Sequence, residues 1–139
     1  MTAPLPRSPH SKVHGLVYFG RMLDKIRLHA RGELPQDYIP NLGREYDLRC
    51  VRLLGVEYAA VVERTQQGGT DEEVLEWCWQ AGRRPSEDEV EVWNEFMRKR
   101  GWNDVASGRL QERLAQGGFQ ARTDIQTFFD YIDLDEGRF

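Results

Sequence analysis

Glycine interrupts this chain at short intervals. Gly32, Gly55, Gly68-Gly69, Gly82, Gly101 and Gly117-Gly118 each follow a stretch whose apolar residues recur at helical spacing. Helices this short are marginal in water on their own and gain stability by burying one face against neighbours. The pattern therefore demands several short helices sharing a core. The first is read from Phe19, Met22, Leu23, Ile26 and Ala30, which share one face and stop near Arg31, ahead of Gly32 and Pro35. Residues 33–46 hold Pro35, Pro40 and Gly43 and read as a loop whose Tyr38, Ile39, Leu42 and Tyr46 pack on the core.

Asp47 is placed as the N-cap of a short helix ending at Gly55, and a further helix runs from Glu57 to Gln67. Thr70 with Glu73, and Ser86 with Glu89, form capping boxes that open helices over 71–81 and 87–100. Asp71, Glu72, Glu87 and Asp88 add negative charge at the positive ends of those helix dipoles. Two more helices are placed near 104–116 and 124–134. No sustained period-two alternation occurs, and no Asn-Gly or Asp-Gly turn joins two apolar runs, so no strand is expected. Residues 1–15 carry Pro4, Pro6 and Pro9 without periodicity and read as an extended arm. The expected fold is all-α: a single compact bundle of six or seven short, irregularly packed helices over residues 16–139, preceded by that arm.

Composition sets the class. A length of 139 residues suits one domain, and 40% hydrophobic content is too high for disorder. No apolar run approaches the roughly 18–20 residues of a membrane span. No secretory signal is visible, and Cys50 and Cys78 are too few for a disulfide framework, so a cytoplasmic protein is expected. Both cysteines sit among apolar neighbours and read as small hydrophobes. The net charge of -4 conceals a split: residues 1–35 carry six Lys/Arg against two Asp/Glu, while the other 104 carry 13 against 21. All three histidines lie in the basic front portion. Docking of that front on the acidic remainder is favoured over nucleic-acid binding, because an acidic molecule is repelled by phosphate backbones.

Two constellations can carry chemistry. Arg21, Lys25 and His29 are spaced by four and form one cationic row along the first helix, beside Asp24. Such a row either grips a phosphate or carboxylate or is bridged to acids of the same chain. The closing stretch supplies candidate counter-charges in Asp130, Asp133, Asp135 and Glu136, with Ile125, Phe128, Phe129 and Ile132 as core. A substrate site between the row and this cluster would place His29 or Asp130 as acid/base. Arg21 and Lys25 pointing into a cavity without protein counter-ions favours that site, whereas pairing of both with Asp130 or Asp133 disfavours it. His10 and His14 have metal-ligand spacing only on a helix, which the neighbouring prolines oppose, and the acidic run lacks EF-hand spacing; no metal is expected. Trp77, Trp79, Trp93 and Trp102 read as core and rim. No nucleotide, hydrolase or zinc motif occurs, and no cofactor is expected.

Several blocks resemble one known family: Arg21-Met22-Leu23-Asp24-Lys25, Leu34-Pro35-Gln36-Asp37-Tyr38 with Pro40-Asn41-Leu42-Gly43, and Leu54-Gly55-Val56. So do Asp71 through Trp77, Trp93-Asn94, and Phe129-Asp130 through Gly137-Arg138. The sequence is similar, over about residues 7–138, to the bacterial domain-of-unknown-function family numbered 5069. The resemblance implies a stand-alone bacterial cytosolic helical protein and brings no activity, cofactor or catalytic residue. The resulting expectation is a binding or interaction module, with an exposed tryptophan rim, the alternative to core packing, that could anchor a homodimer. The alternative is a small-ligand binder or enzyme for an anionic metabolite, using Arg21, Lys25, His29, Asp130 and Asp133 between helix one and the C-terminal helix.

Overall fold

A computed structural model describes residues 4–139. These form a short antiparallel hairpin, seven α-helices and one 3-10 helix. The hairpin strands are β1 (Lys12–Val13) and β2 (Leu16–Val17), and α1 (Phe19–Ala30) follows at once. The 3-10 helix spans Gln36–Asn41. It leads into α2 (Tyr46–Leu54), α3 (Tyr58–Gln66) and α4 (Asp71–Ala81). The chain ends with α5 (Glu87–Lys99), α6 (Ser107–Gln116) and α7 (Phe128–Asp135). The fold is mostly helical, as the glycine-punctuated pattern requires.

The hairpin departs from the strand-free expectation. Its two-residue strands are too short to display alternation, and its turn is His14-Gly15, with φ of 47° and 80°. Both values lie in the left-handed region that a tight hairpin turn needs, and histidine is one of the few side chains found there with any frequency. The hairpin is fixed to α5 by three bonds. Val17 N–H donates to Asn94 Oδ1 at 3.0 Å, Asn94 Nδ2 donates to the Gly15 carbonyl at 2.7 Å, and Trp93 Nε1 donates to the Val17 carbonyl at 3.1 Å. The arm before it is tied down as well. Pro6 and Pro9 are buried, and Arg7 pairs with Asp24 of α1 at 2.8 Å and with Asp71 of α4 at 2.7 Å.

The main core gathers Phe19, Met22, Leu23, Cys50, Leu54 and Phe129 with neighbours from α3, α4 and α5. A smaller cluster of Leu110, Leu114, Ile125 and Leu134 seats α6 on α7. Burial raises the Cys50 thiol well above its ordinary range and pushes Cys78 up to about 12, so both stay protonated packing groups.

Helix boundaries follow local chemistry. Both capping boxes form: Glu73 N–H donates to Thr70 Oγ1 at 3.1 Å and Glu89 N–H to Ser86 Oγ at 3.2 Å, each Glu carboxylate accepting in return. Thr70→Ala and Ser86→Ala are each expected to lower stability by about 1 kcal/mol in urea unfolding. α6 starts at Ser107 rather than 104, because the Asp104 carboxylate accepts from the Gly101 and Ala106 N–H groups and builds a turn. α7 starts at Phe128 rather than 124. Asp124 pairs with Arg122 at 2.7 Å, and Thr127 caps the helix by accepting from Asp130 N–H.

Gly82 closes α4 against the end of α2. A Cβ there would collide with the Leu54 carbonyl oxygen and approach the Gly55 carbonyl oxygen at 2.7 Å, where Arg83 N–H already donates to Leu54. Gly82→Ala is expected to cost about 1–3 kcal/mol by forcing α2 and α4 apart. An unchanged unfolding midpoint would show that this contact is loose.

Candidate functional site

Arg21 and Lys25 project from α1 toward one cleft, about 360 Å³, bounded by α1, the 3-10 helix and α7. Both residues are buried, 5% and 7% exposed, so each needs a counter-charge. Glu136, at the C-terminal cap of α7, takes Arg21 in a two-pronged pair with both N···O distances 2.8 Å. Tyr38 and Arg138 donate to the same carboxylate. Burial opposes charge on Arg21, but the Glu136 bonds outweigh it and hold its pKa above the ordinary value. Burial likewise opposes ionisation of Glu136, and the Arg21 pairing outweighs it, so its carboxyl sits below the ordinary range.

Lys25 is partnered by Asp47 at 2.8 Å and donates to the Tyr18 hydroxyl at 3.0 Å. That hydroxyl donates to the same Asp47 oxygen at 2.6 Å, and Gly43 N–H donates to the other oxygen at 3.0 Å. Burial pulls the Lys25 pKa down despite Asp47, and raises that of Tyr18 well above its ordinary value. Asp47 is fully buried in the first turn of α2 rather than capping it. It lies one residue inside the helix, after Tyr46, and its oxygens accept from Lys25, Tyr18 and Gly43 instead of from the helix's own first N–H groups.

The remaining candidates lie elsewhere. His29 is exposed at the far end of the row. Asp130 faces the arm and meets His10 Nε2 at 3.1 Å. Asp133 accepts from Ser8 Oγ at 2.9 Å and pairs with Arg138 at 3.1 Å. Neither aspartate reaches Arg21 or Lys25, whose counter-ions are Glu136 and Asp47. His14 is separate from His10 and lies against Trp79 with ring centroids 5.3 Å apart. Among the described residues no group of three or more His, Cys, Asp or Glu could hold a metal ion, and no helix is long and apolar enough to cross a membrane.

Sequence reasoning missed the cations that are free. Arg44 and Arg113 line the cleft and make no ion pair among the described residues. They stand 69 positions apart in a stretch that is acidic on average, so no local motif marks them. Two backbone outliers bound the same cleft: Tyr18 at φ 76° and Glu45 at φ 53°, both non-glycine residues in the left-handed half of the map. Strain of this kind clusters at ligand sites. Burial raises the Asp135 carboxyl at the rim, helped by nearby Glu136 and Asp37, so it keeps its proton to a higher pH than an ordinary aspartate.

Fold and cleft define a helical protein with a polar cavity whose inner charges are paired and whose rim carries Arg44 and Arg113 together with Asp37, Glu45 and Asp135. The chain belongs to the family described as Domain of unknown function (DUF5069), which it matches over residues 3–138. No curated protein is significantly similar to it.

Proposed function

We propose that the protein binds a small anionic molecule in the cleft between α1, the 3-10 helix and α7. The observation that carries this reading is the division of labour among its cations. Arg21 and Lys25 are held by Glu136 and Asp47 and act as a rigid polar floor. Arg44 and Arg113 have no acid partner among the described residues and are the groups an incoming anion meets. A concave site bounded by low-dielectric walls concentrates their field. Lys25 is engaged by both Tyr18 and Asp47, so it supports binding better than nucleophilic chemistry.

Thermal shift of the wild type, Arg44→Gln and Arg113→Gln against a library of anionic metabolites tests the reading. A ligand present at about 100 times its Kd stabilises by roughly 2.7 kcal/mol. The expected result is at least one such stabiliser of the wild type whose effect shrinks in both variants. Flat melting points across the library, or stabilisation that ignores both substitutions, would contradict it.

A further inference from the structure

A second cavity, an outer lobe of about 240 Å³, shares Arg113, Tyr131 and Ile132 with the cleft and is lined also by Phe128. Four arginines reach it from three elements: Arg49 from α2, Arg100 at the C-terminal cap of α5, and Arg109 and Arg113, one turn apart on α6. None of the four forms an ion pair among the described residues. Arg7, Arg21, Arg27, Arg83, Arg122 and Arg138, by contrast, each hold a carboxylate.

The acids nearby offset the four cations only in part. Glu45 is the single acid in the lining, and Asp104, whose oxygens accept from the Gly101 and Ala106 N–H groups, is near enough to Arg100 for the two charges to act on each other. Arg49 and Arg100 lie over the same Phe96 ring, at 5.4 and 5.3 Å from its centroid. That ring, which borders the lobe without lining it, offsets part of the charge of both. Tyr46 on the rim feels both signs: burial pushes it up to about 12, Arg100 and Arg49 pull the other way, and Asp104 and Glu45 add to the rise.

We infer that this outer lobe is a phosphate site, receiving the phosphoryl group of a small phosphorylated molecule. Four guanidinium groups exceed what one carboxylate can satisfy, and the planar fork of arginine matches phosphate oxygens two at a time. The four arginines border one small concavity, and the molecule as a whole carries -4, which favours a compact anion over a nucleic-acid strand. The inference goes beyond the inner cleft and does not require the inner cleft to be filled.

Isothermal titration with inorganic pyrophosphate tests it. The wild type is expected to bind, with affinity that falls as salt is raised. Arg100→Gln and Arg109→Gln should each weaken binding about tenfold, a difference equivalent to 1.4 kcal/mol. Arg44→Gln, at the inner lobe, should change it less than twofold. All these side chains are solvent-facing or partly so, and unchanged melting points will confirm that the variants fold. Absence of binding to the wild type would overturn the inference. Loss of binding in Arg44→Gln with retention in Arg100→Gln and Arg109→Gln would also overturn it, leaving the inner-cleft reading intact. Displacement of pyrophosphate by a duplex oligonucleotide at lower concentration than by any small phosphorylated compound would overturn the assignment to a small ligand.

Discussion

Glu136→Ala is expected to destabilise the protein by about 3–5 kcal/mol, the range for stripping one partner from a buried ion pair. The carboxylate is 2% exposed and meets Arg21, which is 6% exposed at the side chain. Without it, the Arg21 guanidinium keeps one acceptor, the Arg7 carbonyl at 3.1 Å, and the Tyr38 hydroxyl loses its partner. Pairing also fixes the pH dependence. The folded-state pKa of Glu136 lies below the ordinary value of 4.5, so the stability it supplies is present above that pH and lost as pH falls through the folded value. Asp24 shifts in the same direction, because its bonds to Arg7 outweigh its burial. Urea unfolding at pH 7 and through an acid series should show a lower midpoint for Glu136→Ala and a shallower acid limb than in the wild type. A loss below 1 kcal/mol at pH 7 would mean that Arg21 finds another partner.

Asp47→Ala should be comparably severe, about 3–5 kcal/mol at pH 7, since it orphans the Lys25 ammonium, the Tyr18 hydroxyl and the Gly43 N–H together. Here the pH dependence has the opposite sense. A lysine whose folded pKa is below 10.5 is penalised for its charge at low pH, and the penalty fades as pH rises through the folded value toward 10.5. The deficit of Asp47→Ala should therefore shrink between pH 7 and pH 10. Lys25→Met combined with Asp47→Leu should recover only the part due to the orphaned ammonium, because the Tyr18 hydroxyl and Gly43 N–H still lack their acceptor. A deficit that is constant with pH would show that Lys25 is not the group left exposed to the cost.

Much of the fold is legible in the residues because capping and glycine signals are local. Thr70/Glu73 and Ser86/Glu89 form the boxes their spacing predicts. The hairpin is not legible: two residues per strand carry no periodicity, and its docking depends on Asn94 and Trp93, some 77 positions away. In the site, the cationic row and the closing acidic stretch do meet, but through Glu136 rather than Asp130 or Asp133. A helix taken to end at 134 leaves Glu136 outside it, whereas the turn running on to Asp135 carries Glu136 round to Arg21. Asp47 is hidden for another reason. Its position suggests a helix cap, and only the three-dimensional approach of Tyr18 and Lys25 shows it to be a buried counter-ion. The arginine-lined lobe is the least legible part, because Arg49, Arg100, Arg109 and Arg113 come together from an acidic background that averages them away.

The central claim is that the cations of the cleft divide into those already satisfied and those awaiting an anion. Arginine side-chain Nε–H signals in a nitrogen-15 correlation spectrum, followed during titration with inorganic phosphate, test it directly. Arg100, Arg109 and Arg113 should shift with a common saturation curve while Arg7 and Arg21, locked on their carboxylates, stay in place. Movement of Arg21 ahead of Arg109 and Arg113, or a spectrum that does not respond, would contradict it.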